Sequence, residues 1–318
     1  MKSGKAFELF VKIILLSIGF SEVKSDGLYV FDGAPGQMLQ GLGEAHNADV
    51  LLEPPVQTPF YSATRLLIEC KDYQKRIGLN TVRSVLGLRE DINHFEIVDL
   101  NELKARRKNR RNGMVYDYPR YSYQVALAAI NGFTSQAQKF AATHRIPLIE
   151  FNKLPFWVEF CELMRKCEFN AFSQTPYCLD NDDYDQRLQE DIFCFSREVG
   201  DKMAVAITNS GQMIFLYKVS NNYMSFDNEY TIHWSDSESP WVLRSGNNEF
   251  IFQLPKDIAK IWLSNASSEI DQKKDAIYCK MNYLSNMVVY YREYDKPTIK
   301  MLSINQEILQ YALDALEN

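Results

Sequence analysis

The sequence predicts an α/β first half, a mixed sheet flanked by helices, followed by a second domain of the α+β class. Three observations predict it. Helix-period and strand-period apolar patterns alternate through about residue 151. Near 152–156 that alternation gives way to aromatic-rich segments separated by polar turns. The charge divides at the same place: through Lys153 there are 20 Lys and Arg against 16 Asp and Glu, a net of +4, and from Leu154 onward 15 against 25, a net of −10. The expected domains are therefore 1–153 and 154–318, each of ordinary size. Apolar content of 46% with 24% charged residues excludes a disordered chain.

Phe7, Phe10, Val11, Ile14, Leu15 and Ile18 recur at three- and four-residue spacing, one apolar face of a helix over about 4–18. Ser3 or Gly4 caps its start and Gly19 its end. The composition of 7–20, after Lys2 and Lys5, is also that of a signal-peptide core, but Glu8 and Lys12 interrupt it and no small-residue cleavage site follows. It is too short to span a bilayer, so no membrane association is expected. The six cysteines (70, 161, 167, 178, 194 and 279) show no C-x-x-C pair and only four histidines are present. That leaves a zinc site unsupported and points to a reducing cytoplasm.

Short strands follow near 28–31, 47–53 and 64–71, then a helix over about 78–92 carrying Val82, Val85, Leu86 and Ile92. After an irregular basic segment over about 94–122, 123–130 is a strongly apolar strand. Asn131-Gly132 turns the chain, Thr134 or Ser135 caps a helix through about His144, and 146–151 is the last strand of this half. In the second half, 203–208 and 213–219 flank Asn209-Ser210-Gly211-Gln212 as a hairpin. Further strands are expected at 250–254, 276–283 and 287–294, with a closing helix near 304–316. The acidic run over 180–185 lacks the glycine and terminal glutamate of a calcium loop and reads as a solvated turn.

Chemistry concentrates in Leu66-Leu67-Ile68-Glu69-Cys70-Lys71. Side chains alternate along a strand, so Glu69 and Lys71 share one side while Ile68 and Cys70 point to the other. The preceding strand carries Asp49 among apolar neighbours. Two carboxylates and a lysine on adjoining strands suit divalent-metal hydrolysis of a phosphodiester. Asp49, Glu69 and the main-chain carbonyl of Cys70 are the expected ligands of Mg²⁺, which favours oxygen and keeps several waters. Lys71 would orient the attacking water and stabilise developing charge rather than act as a general base. Glu-x-Lys occurs three times, as Glu22/Lys24, Glu69/Lys71 and Glu102/Lys104, and only Glu69 ends an apolar run. A strand-end salt bridge on the surface would use the same residues.

Gly41-x-Gly43-x-x-His46-x-x-Asp49-Val50, then Leu67-Ile68-Glu69-Cys70-Lys71, then Ile77-Gly78 and Val82, resemble the PD-(D/E)xK restriction-endonuclease-like superfamily, and within it the Mrr-type branch. Gly4-Lys5-Ala6-Phe7-Glu8 is similar to that branch's first helix. Phe133-Thr134-Ser135-Gln136-Ala137-Gln138-Lys139-Phe140-Ala141 with Ile146-Pro147-Leu148-Ile149 is similar to its closing helix and strand. The resemblance covers about 4–155. It implies a restriction-endonuclease-like fold, Asp49 and Glu69 as metal ligands, Lys71 as the catalytic lysine and Glu8 as a supporting carboxylate. It also implies Mg²⁺, with Mn²⁺ able to substitute, and a role in restriction or phage defence. The chain departs from the pattern in lacking a proline before Asp49 and in its long insertion before residue 123.

That insertion holds Lys104, Arg106, Arg107, Lys108, Arg110 and Arg111, six positive charges in eight residues, followed by Tyr116, Tyr118, Arg120, Tyr121 and Tyr123. Basic charge binds phosphates without reading sequence and aromatic rings stack on exposed bases, so DNA contact is expected here. A solvated charge run on a loop is the other reading. His46 could contact the scissile phosphate or a metal-bound water, but three residues before Asp49 it would point to the opposite strand face unless a bend intervenes, which favours a structural polar contact. The expected activity is Mg²⁺-dependent endonucleolytic hydrolysis of DNA. The alternatives are a nuclease fold retained only for interaction, a repair or recombination enzyme, and an RNA-cleaving one. Homodimerisation would supply two cuts, and the second domain would recognise a target, a partner protein or a signal ligand.

Overall fold

The computed structural model describes residues 3–34, 36–57, 62–95, 121–172, 181–220, 222–233, 239–258 and 269–317. Its first helix, α1 (Ser3–Ile18), carries the expected apolar face, but Ala6 and Ile13 are buried as well. It is covered on two sides, by a sheet and by helices α4 (Trp157–Phe172) and α5 (Asn181–Gly200). Phe10 stacks on Phe160 with ring centroids 4.0 Å apart and meets Phe151 edge-on at 5.8 Å. Such contacts add to the large area each ring buries. Lys12 escapes this surround by pairing with Glu22 at 3.1 Å. At Gly19 the helix stops with φ +119°, and a Cβ there would lie 2.7 Å from the Pro297 ring, so only glycine fits.

The sheet under α1 has the order β1 (Ser21–Glu22), β5 (Val50–Glu53), β6 (Ala63–Lys71), β7 (Tyr121–Ala129), β8 (Leu148–Ile149). β5 runs antiparallel to β1 and β6, whereas β6 and β7 are parallel in unbroken register from Ala63 opposite Tyr121 to Lys71 opposite Ala129. β7 and β8 are parallel too. Alternation divides the core accordingly. Leu66, Ile68, Cys70, Ala126 and Ala128 pack with α1, while Leu67, Val125, Leu127 and Ala129 pack with α2 (Leu79–His94) and α3 (Ser135–Thr143). Thr134 caps α3, its hydroxyl accepting from the Ala137 N–H at 3.4 Å. A separate antiparallel ribbon, β2 (Val30–Gly33), β3 (Gly36–Gln40) and β4 (Ala45–Asn47), leads into β5.

Beyond α5 the chain forms a closed seven-stranded barrel ordered β10 (Met213–Lys218), β13 (Asn248–Phe252), β12 (Trp241–Ser245), β11 (Glu229–His233), β15 (Lys296–Ile304), β14 (Asn286–Glu293), β9 (Met203–Thr208). Only the β11–β15 pair is parallel. Among the described residues, α6 (Glu269–Tyr283) and α7 (Gln306–Glu317) accompany it. The expected hairpin at 203–219 is β9–β10, with Met213 opposite Ile207. The strand expected at 276–283 is instead the second half of α6. Apolar residues do alternate there, but Glu269-Ile270-Asp271-Gln272-Lys273-Lys274 upstream starts a helix that continues through them. The run expected as a turn is helical instead, part of α5 from Asn181 onward.

The chain is thus a mixed α/β protein. Near the charge boundary at 153, Phe151 packs edge-on to Phe215 of β10 at 5.1 Å. The apolar cluster around α1 includes Val205 and Phe215 from the barrel wall as well as Ile68 and Ala126 from the sheet. Among the described residues no helix is long and apolar enough to cross a membrane.

Candidate active site

The strand expected over 47–53 is broken. β4 ends at Asn47, β5 begins at Val50, and Asp49 occupies the bend between them. Freed from pleat alternation, its carboxylate turns toward the end of β6. There the Cys70 N–H donates to Asp49 Oδ2 at 2.9 Å, and Asn47 Nδ2 donates to Oδ1 at 3.1 Å. Glu69 and Lys71 project from one side of β6 as alternation requires, with Cys70 buried on the other. Lys71 Nζ donates to Glu69 Oε2 at 2.7 Å and lies 3.5 Å from Asp49 Oδ2. The side chains of Asp49, Glu69 and Lys71 are only 9%, 13% and 22% exposed. A surface salt bridge would leave both partners in water; this cluster is largely withdrawn from it.

Burial sets the electrostatics. Desolvation, then the Asp49 charge, raises the Glu69 carboxyl above its usual range against the pull of Lys71. Burial acts to lower the Lys71 ammonium, but Glu69 and then Asp49 outweigh it, and its pKa rises. The lysine therefore stays charged. Glu8, on α1, is also raised, by burial first, with Lys5 opposing and Asp49 adding to the rise. Glu8 is thus in electrostatic reach of Asp49 and Lys71, while its own hydrogen-bond partner is Lys5. The Cys70 thiol is pushed well above its usual value by burial and by the surrounding carboxylates, which keeps it an unreactive thiol.

Asp49, Glu69 and Lys71 line an open cleft of about 420 Å³ whose far wall is α2, through Thr81, Ser84 and Leu88. The bend at Asp49 also brings His46 into this cleft, rather than onto an opposite face. His46 Nε2 lies 2.7 Å from Asp91 Oδ2 on α2. That hydrogen bond, then one from the Gly43 N–H at 2.8 Å, lowers the Asp91 carboxyl. A Cβ on Gly41 would come within 2.0 Å of Asp91 Oδ2 and 2.7 Å of the Glu44 carbonyl. The Gly41-x-Gly43 pair thus lets the backbone wrap the Asp91 carboxylate, fixing β4 and the bend after it against α2. Asp91 was given no role by sequence reasoning; its neighbour Ile92 marked only a core face.

Lys104, Arg106, Arg107, Lys108, Arg110 and Arg111 lie outside the described residues, as do Tyr116, Tyr118 and Arg120. Tyr121 and Tyr123 do not offer free rings. The Arg65 guanidinium sits 3.4 Å from the centroid of Tyr121 and donates to Tyr123 Oη at 3.2 Å, and Tyr123 is buried.

The donor set fits a hard divalent cation. It offers only oxygen, from two carboxylates beside an open cleft, and burial makes their mutual repulsion costly. Among the described residues no group of three His, Cys, Asp or Glu side chains is arranged to hold a metal by itself. A Mg²⁺ ion bound through two carboxylates, a carbonyl and waters does not need one.

No protein-family model matches the chain, and no curated protein is similar enough to match. Among solved structures, the crystal structure of AF1548, a protein of unknown function, aligns at a TM-score of 0.32 with 15% identity, over 61% of this chain and 92% of that one. A likeness of that degree carries no argument about fold or activity.

Proposed function

We propose that the chain is a divalent-metal-dependent endonuclease of the PD-(D/E)xK restriction-endonuclease-like type, acting on DNA. The observation that carries this reading is the buried Asp49–Lys71–Glu69 cluster opening into a cleft beside the parallel β6–β7 pair. Asp49, Glu69 and the Cys70 carbonyl would hold Mg²⁺ or Mn²⁺, which supplies charge neutralisation at the phosphate and a more acidic water.

The chain's own residues account for the rest. The Cys70 N–H and Asn47 fix both Asp49 oxygens, so this carboxylate is preorganised. Lys71, held in its ammonium form, donates hydrogen bonds and takes up no proton. It orients the attacking water by hydrogen bonding and stabilises negative charge gathering on the phosphoryl oxygens. Glu8 adds negative charge at the α1 side of the cluster. His46 holds the cleft wall through Asp91 and moves no proton. The basic segment at 104–111 supplies salt-sensitive phosphate contact, and the barrel domain a target-, partner- or signal-recognition surface. A restriction or defence role, with two copies making a double-strand break, follows from the family resemblance.

Incubating the full chain with supercoiled plasmid and Mg²⁺ tests this reading. Nicked or linear product is expected, and Asp49→Ala or Lys71→Ala should cut it at least about a hundredfold. Cleavage that survives both substitutions refutes the site. Absence of cleavage on any plasmid or single-stranded substrate would favour a nuclease fold retained for interaction.

A further inference from the structure

A second cavity lies apart from the cleft at Asp49. It measures about 1180 Å³ and lies where α1 and α5 meet the turn of the β14–β15 hairpin and the loop after β10. Its floor is the close crossing of α1 and α5, where a Cβ on Gly200 would come 2.6 Å from Ser17 Cβ. This half of the chain is acidic, yet the cavity gathers three cations, Arg197, Lys218 and Arg292, against Asp201 and Asp295. Among the described residues neither Arg197 nor Arg292 has an ion-pair or hydrogen-bond partner for its side chain. Lys218 is lowered by burial and then by nearby Lys202, and its ammonium donates to the Asn222 carbonyl.

Aromatic faces complete the rim. Tyr223 and Tyr294 are 75% and 72% exposed, with ring centroids 5.1 Å apart and planes at 37°. Two exposed tyrosines held together above unpaired guanidinium groups do not stabilise a core.

Both rings are held in place. Tyr294 and Asp295 form the two-residue turn of the β14–β15 hairpin, with φ of 45° and 66°. Turns of this kind favour Asn-Gly, and a tyrosine in the left-handed region is strained. On the other side, the buried Asn248 donates from Nδ2 to the carbonyls of Tyr223 and Ser225, while its Oδ1 accepts from the Ser220 hydroxyl at 2.9 Å. A buried amide thus fixes the loop that presents Tyr223.

We propose that this cavity binds a phosphorylated nucleotide, its base stacked on Tyr223 and Tyr294 and its phosphates paired with Arg197 and Arg292. Aromatic faces accept any base, and guanidinium forks match phosphate oxygens. The volume exceeds that of an ordinary small-ligand site and accommodates a nucleoside with several phosphates or a short strand end. The two sources share this chemistry and differ in length.

Calorimetric titration of the full chain tests the proposal, using the four nucleoside 5′-diphosphates and a mixed-sequence 5′-phosphorylated deoxytetranucleotide as probes. Saturable binding of either probe is expected. It should weaken at least tenfold in Arg197→Glu/Arg292→Glu and about fivefold or more in Tyr223→Ala/Tyr294→Ala. Tighter binding of a diphosphate identifies a free nucleotide as the ligand, and tighter binding of the tetranucleotide a strand end. The proposal is overturned by no saturable binding of any probe. It is equally overturned if pyrophosphate binds as tightly and the tyrosine variant is unaffected, which would leave a bare anion site. All four side chains are at the surface, and circular dichroism of each variant checks the fold. No step requires cleavage, so failure here leaves the reading of the Asp49 cleft standing.

Discussion

Replacing Lys71 with methionine keeps the apolar stem of the side chain and removes the ammonium that Glu69 and Asp49 share. Removing one partner of a buried ion pair costs about 3–5 kcal/mol when the remaining charge is fully enclosed. Here the lysine retains 22% exposure, and Asp49 keeps its bonds from Cys70 and Asn47. The expected loss at pH 8 is therefore about 2 kcal/mol. The sign of its pH dependence follows from Glu69. Its folded pKa already stands above its ordinary 4.5, so the folded state holds the proton more readily than the unfolded chain. Stability from that group falls as pH rises through the window above 4.5, and without Lys71 the window widens upward. The variant should thus approach the wild type near pH 5 and lose most at pH 8. Urea unfolding followed by circular dichroism reads this as a midpoint lowered by about 0.5–1 M at pH 8. A variant as stable as wild type at pH 8, or a loss equal at pH 5 and pH 8, would show that the ammonium is not balancing buried charge.

Three further outcomes follow from the same geometry. Because Lys71 keeps its proton, cleavage should rise as pH climbs above 4.5 and Glu69 ionises, with no alkaline decline up to about pH 9; a fall between pH 7 and pH 9 would show that the cluster does not hold Lys71 as an ammonium there. Gly41→Ala drives a Cβ into the Asp91 carboxylate and the Glu44 carbonyl, so thermal unfolding should show a loss of about 1–3 kcal/mol. Adding Asp91→Ala should recover part of that loss, and strict additivity of the two would mean that the glycine serves something other than the wrap around Asp91.

Much of the first half was legible because alternation and period are local properties. The apolar period of α1, the run through Leu66–Ile68 and the Thr134 cap each declare themselves within a dozen residues. Glu69 and Lys71 share a side of β6 by pleat geometry alone, as expected. What the sequence could not show was the bend at Asp49. The stretch over 47–53, with Asp49 among Ala48, Val50, Leu51 and Leu52, reads as a continuous strand. It breaks because the carboxylate finds the Cys70 N–H, a partner twenty-one positions later. Asp91 stayed hidden for the same reason, since its partners His46 and Gly43 are more than forty residues away. In the second half, alternation at 276–283 was overruled by a helix begun upstream. The barrel itself closes through pairings such as Glu229 with Ser303, which no local pattern encodes.

By itself, then, the sequence determined an α/β first half, an acidic second half and two residues, Glu69 and Lys71, set side by side at the end of a buried strand. These follow from side-chain direction and burial along a few consecutive residues. Only the tertiary structure decided that Asp49 turns into the same cluster, that water is largely excluded from it, and that His46 is occupied by Asp91. It alone brought Tyr223, Tyr294, Arg197 and Arg292 around one cavity. Those facts depend on contacts between distant segments, and their energies come from desolvation and shared charge that exist only once the chain has folded.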